Sequence, residues 1–390
     1  MSEIGTPHDD LPGAEPADRD QRAVLAHVNS APAADVSSAS SSPAADDVSA
    51  AGRRELLGGA LRALGPRRIS AVYLWIAFLI LFGLLEPDIY LSSVTVQLIF
   101  SEGAVTCLLA LAFLVPLTAG AYDLSIGAVM SASVAIGAWL QLNTSVPPAA
   151  GAVVCVAAGA LCGWVSGFIV VRLRVNSFIA TLGMSQVLLA VVLLVSGNRQ
   201  LVAEFPDSWS SLALDKVAGI PLADVYLLLV ALALWYVLEH TRIGRYLFAT
   251  GGNAEAARLS GVRTDRMVWG ALAASGAVAG LAGVVYGMRV GTFDATVGPG
   301  YLFPAIAAVF LGASQLSQRP NVWGTLIAYF ALAFGIQGLA LSASSAAVWS
   351  QPLFQGIALI VAVAMAGLPA ARRSGRWRRL RHRAPAGGPL

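Results

Sequence analysis

The chain has 390 residues, 57% of them hydrophobic and only 12% charged, with a formal net charge of +3. Soluble domains carry about 25% charged residues, so half that share excludes an ordinary soluble globular protein and points to one embedded in a bilayer. The three cysteines, Cys107, Cys155 and Cys162, lie in apolar runs with neither disulfide nor metal spacing, and the four histidines form no cluster, so no metal, cofactor or catalytic site is expected.

Residues 1–66 are rich in Ala, Ser, Pro and Asp. They lack the apolar surface that would offset the entropy of ordering, and they read as a disordered cytoplasmic tail. A signal peptide would need an apolar core near its start, which this segment lacks. Arg53, Arg54, Arg62, Arg67 and Arg68 then lead into the first long apolar run.

A bilayer crossing needs about 20 mostly apolar residues. Ten such segments follow: Ile69–Leu85, Leu98–Leu117, Leu124–Leu142, Ala149–Val171, Phe178–Val195, Leu222–Leu238, Met267–Met288, Tyr301–Gly312, Val322–Leu341 and Phe354–Leu368. The eighth is short and reads as a broken or re-entrant helix, which is tolerated only where protein or a water-filled cavity surrounds it. With the N-terminus inside, ten crossings place every Arg and Lys except Arg199, Lys216 and Arg289 on the cytoplasmic side, as the positive-inside rule requires. An odd number of crossings would destroy this bias. The expected fold is therefore an all-α polytopic membrane protein of about ten transmembrane helices with both termini cytoplasmic. A membrane domain spans 67–370, and a basic tail, 371–390, either fixes topology or meets anionic headgroups.

Two glycine-flanked acids stand out. L-T-A-G-A-Y-D-L-S-I-G, residues 117–127, contains Gly120, Asp123, Ser125 and Gly127, and V-G-T-F-D-A-T-V-G-P-G-Y, residues 290–301, contains Asp294, Gly298 and Gly300. An acid at membrane depth costs roughly 2.5–3.5 kcal/mol, so it faces protein or water. Asp123 either caps a helix beginning at Leu124 or lies on a translocation path or helix break. The two stretches follow crossings of opposite sense, as halves of an inverted repeat would.

The largest outer loop, Ser196–Ala223, holds Asp207, Trp209, Asp215 and Lys216, and serves either as an interfacial cap or as a surface for a docking receptor. The largest inner loop is 241–267. Asn253 is a good helix N-cap, Glu255 suits a first turn, Arg258 a last turn, and Gly261 a left-handed stop. A two-turn helix is marginal alone in water, so this loop is either a plain connector or an element held by a partner.

Absences matter too. Lys216 is the only lysine, and no G-x-x-x-x-G-K-[ST] phosphate cradle exists, so the chain is not expected to carry its own ATPase site or any other enzyme site.

The wording of the inner loop, T-R-I-G-R-Y-L-F-A-T-G-G-N-A-E-A-A-R-L-S-G-V, closely resembles the coupling loop of the membrane permeases of ribose/xylose-type ABC sugar importers. Y-D-L-S-I-G, V-N-S-F-I-A-T-L-G-M and A-I-A-A-V-F-L-G resemble further signatures of that family, and the likeness runs from about Leu91 to Leu368. It implies a transmembrane subunit that imports a monosaccharide-like solute by alternating access. An ATP-binding-cassette ATPase would dock at Arg245, Gly251, Gly252, Asn253, Glu255, Ala256, Arg258, Leu259 and Gly261. The other partners implied are an extracytoplasmic sugar-binding protein, a second permease chain in a homodimer and the lipid bilayer, with no nucleic acid, in the plasma or inner membrane of a bacterium. Leu302, Phe303 and Pro304 depart from an acidic pair usual in relatives, and Ser317–Asn321 from a glycine-rich basic loop, which bears on the substrate. The alternatives are a related permease for branched-chain amino acids or nucleosides, or an ion-coupled secondary transporter relying on Glu102, Asp123 or Asp294.

Overall fold

A computed structural model of the chain describes residues 70–197, 201–202, 207–217, 219–293, 297–314, 319–342, 349–357 and 360. The expected tails, 1–66 and 371–390, lie outside the described residues, as does most of the expected tenth crossing, whose start falls in the helical stretch 349–357.

Twelve helices are named here: α1 Ser70–Leu85, α2 Ser93–Thr118, α3 Ile126–Asn143, α4 Pro148–Arg172, α5 Ser177–Ser196, α6 Asp207–Leu214, α7 Leu222–His240, α8 Arg242–Gly252, α9 Ala254–Leu259, α10 Thr264–Val290, α11 Val297–Ser314 and α12 Val322–Ser342. Two short antiparallel ribbons join them. β1 (Leu201–Val202) pairs with β4 (Thr292–Phe293), and β2 (Lys216–Val217) with β3 (Ile220–Pro221). Among the described residues, α2, α3, α4, α5, α7, α10, α11 and α12 are long and apolar enough to cross a bilayer, and α1 is a shorter apolar helix. The chain is thus an all-α membrane protein, in line with about ten crossings.

The eighth crossing differs from its expectation. It is an 18-residue helix that starts four residues earlier than the sequence reading placed it, through Gly298, Pro299 and Gly300. The first amides of a helix have no intrahelical partner, so a proline in the first turn removes nothing the helix uses.

α2 is the axis of the bundle. It is buried without interruption from Gly103 to Pro116, as befits a helix that is apolar all round. α4 and α10 form the closest pair beside it. A side chain at Gly163 would overlap the Leu272 carbonyl, and one at Gly276 would overlap the Gly159 carbonyl. In lipid no hydrophobic force drives helices together, and such small residues let two backbones touch along a dispersion seam. Exposed apolar residues on α1, α4 and α5, such as Leu84, Val153 and Leu194, match a surface facing hydrocarbon.

Contacts between helix ends sort into the two sides that the arginine count requires. Arg319 binds Glu239 at 2.6 Å and the Tyr122 amide donates to Ser177 Oγ at 3.0 Å, gathering the inner ends. On the other side Leu201 pairs with Phe293, and Lys216 Nζ donates to Gln97 Oε1 at 2.6 Å. The outer loop folds into β1, α6 and the β2–β3 hairpin, while the Trp209 side chain lies outside the described residues.

Candidate coupling surface and translocation path

The inner loop holds two helices where the sequence reading placed one. The Thr241 hydroxyl oxygen accepts the Gly244 amide at 3.4 Å and donates to the Val237 carbonyl at 2.6 Å, which caps α8 against the end of α7. α8 buries Gly244, Leu247 and Thr250 and exposes its opposite face, so it lies along the bundle as an amphipathic surface helix. The signal available in the sequence was Gly244, Leu247, Phe248 and Gly251 at helical spacing.

α9 is capped as expected. Asn253 Oδ1 accepts the Ala256 amide at 3.0 Å. Gly261 takes φ +83°, and the Gly261 and Val262 amides close back on Arg258 and Ala257 carbonyls, each at 3.0 Å. Arg258 reaches Thr264 and Asp265 at 3.3 Å, tying the end of α9 to the start of α10. Ala257 is the buried residue of this short helix.

Arg245, Gly251, Gly252, Asn253, Glu255, Ala256, Arg258, Leu259 and Gly261 are all exposed, and Leu259 is 86% so. A leucine that far into water at the tip of a rigid element is what a docked partner would cover. The preceding helix, α8, is fastened inward. Gly251 leaves no room for a side chain beside the Thr118 carbonyl, and Gly120, at φ +78°, packs on the Gly251 backbone. Arg319 completes the attachment: its guanidinium lies 4.5 Å over the Phe248 ring while it binds Glu239. Sequence reasoning missed Arg319, because its partners are far away along the chain.

Beyond Gly120 the chain runs extended beside the first turn of α5. The Tyr122 amide donates to Ser177 Oγ, the Leu124 amide donates to Thr181 Oγ1 at 3.0 Å, and Thr181 Oγ1 donates to the Tyr122 carbonyl at 3.2 Å. Asp123 is fully buried and accepts both the amide (3.0 Å) and the hydroxyl (2.5 Å) of Ser125, with Ser275 of α10 facing the same carboxyl. The helix begins two residues later than expected, at Ile126, and the Leu124 amide is held by Thr181; Asp123 still accepts an amide of the expected first turn, that of Ser125, and closes a turn ahead of the helix.

The two glycine stretches meet. The Gly298 amide donates to Ser131 Oγ at 3.0 Å, and a Cβ on Gly127 would stand 2.6 Å from the Gly298 carbonyl oxygen. Ser133 nearby donates to the Gly280 carbonyl at 2.7 Å. Gly280 lies about 24 Å along α10 from Thr264 at 1.5 Å per residue. The first turns of α3 and α11 thus meet inside the bundle. Asp294 lies outside the described residues.

Next to this junction a cavity of about 480 Å³ opens among α2, α10, α11, α12 and residues 351–355. Glu102 and Thr106 line it from α2, Tyr286 and Arg289 from α10, Gly300 and Tyr301 from α11, and Tyr329 and Gln337 from α12. Gly300 is the expected path residue that reaches it. The Tyr286 and Tyr301 rings meet edge to face at 6.0 Å. Arg289 Nε is buried without a hydrogen-bond partner, and Asp224 of α7 lies close enough to feel its charge. The sequence marked Arg289 only as an outer-side exception. Among the described residues no group of His, Cys, Asp or Glu is placed to hold a metal ion.

A family profile described as "Branched-chain amino acid transport system / permease component" matches residues 96–366. A fructose import permease protein of Rhizobium meliloti is 33% identical over 296 residues, covering 74% of this chain and 81% of the relative. A ribose import permease protein of Escherichia coli K12 is 32% identical over 272 residues, covering 68% and 83%. A D-allose transport system permease protein of the same strain is 29% identical over 286 residues, covering 73% and 87%. No solved structure matches.

Proposed function

The chain belongs to the permease-component family of the branched-chain amino acid transport system type, and from that premise we propose that it is the transmembrane subunit of an ATP-binding-cassette importer that brings a monosaccharide-like solute into the cell. The sugar class follows the relatives named for fructose, ribose and allose. Two copies pair as a homodimer in the inner membrane, an extracytoplasmic sugar-binding protein docks outside, and an ATPase subunit docks on α8 and α9.

The observation that carries this reading is the seat of Gly251 on Thr118 and Gly120. It joins an exposed, capped helix pair to the end of the central helix without a deformable side chain between them. Displacement of α8 by a closing ATPase then moves the Gly120 turn, and through it the start of α3 where it bears on α11. Uphill import requires that the ATPase bind the inward and outward states with different free energy, and this contact supplies the link.

The test is uptake of labelled D-ribose and D-fructose into proteoliposomes holding this chain, its ATPase and its receptor. Uptake should require ATP hydrolysis. Uptake driven by a proton or sodium gradient without nucleotide would replace this reading with an ion-coupled one.

A further inference from the structure

We propose that the cavity between Glu102 and Arg289 is the binding site for an uncharged polyhydroxyl solute on its way through the chain. The proposal rests on the importer reading above and adds the site and its chemistry.

Three features of the cavity select that ligand class. Its volume, about 480 Å³, falls in the range of small-ligand sites and leaves room for a monosaccharide with some water. Its charges do not add up to one sign. Glu102 and Arg289 line the same space, so a simple anion meets the carboxylate and a simple cation meets the guanidinium, and neither gains from entering. Charged groups still make the strongest hydrogen bonds to neutral hydroxyls, the carboxylate accepting and the guanidinium donating. Gln337, Tyr301 and Tyr329 add groups that both donate and accept, which is what a hydroxyl requires of its partners.

Location supports the same assignment. Arg289 is in the last turn of α10 and Gln337 is near the outer end of α12, so the cavity lies toward the outer face. Gly300 and Tyr301 lie on the turn of α11 just past Gly298, which bears on Gly127 and Ser131 of α3. A shift of α3 therefore reaches the cavity wall directly. Arg289 lines the cavity, and its guanidinium supplies the donors that a solute hydroxyl accepts.

The experiment uses the complete importer in proteoliposomes, with D-ribose, D-fructose and L-leucine as probes. Glu102→Gln and Gln337→Leu should each lower the maximal rate of sugar uptake at least tenfold, and Gln337→Asn should restore part of it. Sugar uptake within twofold of wild type in both variants would overturn the site while leaving the importer reading intact. Uptake of leucine but of neither sugar by the wild type would overturn both. A second measurement is independent of uptake. In a chain with Cys107, Cys155 and Cys162 replaced by alanine, Ala333→Cys, on the cavity wall but not among the groups that bond the solute, should react with a membrane-impermeant maleimide from outside, and D-ribose but not L-leucine should slow that reaction severalfold. Absence of ribose protection would overturn the site even if the variants transport poorly.

Discussion

Gly251, at the end of the surface helix α8, lies directly against the carbonyl of Thr118, the last residue of the central helix, with no space for a single added carbon. Its neighbour Gly252 has nothing within 4 Å of where a side chain would begin. The pair therefore makes an internal control. Gly251→Ala should lift α8 from its seat and lower ATP-dependent uptake at least fivefold at normal membrane abundance. Gly252→Ala should transport like the wild type. Equal uptake by the two variants would show that the contact transmits nothing.

Proline at position 257 tests the shape of α9. The Ala257 amide donates to the Asn253 carbonyl at 3.0 Å, and proline both removes that donor and clashes with the preceding turn. The cost in a helix interior is about 3 kcal/mol, more than a two-turn helix supplies. Ala257→Pro should keep membrane insertion but lose co-purification with the ATPase subunit and uptake together. Glu255→Lys, which puts a cation at the positive end of the helix, should give a milder loss. Normal ATPase binding by the proline variant would reduce the loop to a connector.

Topology has a direct chemical readout. Single cysteines introduced by Ser260→Cys and Ser210→Cys should react with an impermeant maleimide from opposite sides of the membrane, the first from the cytoplasm and the second from outside. Reaction of both from one side would end the ten-crossing arrangement.

The seam between α4 and α10 predicts a folding defect away from any proposed site. Gly163→Val would force its side chain onto the Leu272 carbonyl and separate the two backbones. Thermal inactivation in detergent should occur several degrees lower than in wild type. Gly270→Val, where no atom lies within 4 Å of the added carbon, should show no such shift.

The parts of this molecule that local forces decide were legible in the sequence. Apolar runs of bilayer length set the crossings, and Asn176, Asn253 and Gly261 end or begin helices through bonds to residues two to five positions away. α8 left only the spacing of Gly244, Leu247, Phe248 and Gly251 as a signal, because Gly251 and Gly252 lower intrinsic helicity and the helix is held by tertiary contact with Thr118 and Arg319. Asp123 does accept an amide of the expected first turn, that of Ser125, but the later helix start at Ile126 was not legible, and Thr181, which holds the Leu124 amide, lies far along the chain. The cavity was beyond reach of any pattern, since Glu102, Arg289 and Gln337 come from three helices distant along the chain.

The extended segment after Gly120 draws its hydroxyl partners from Ser177 and Thr181, which are synthesised only after α3 and α4. The turn that joins α2 to α3 therefore takes its final form only once α5 stands beside it, so an early part of the chain is completed by a later one.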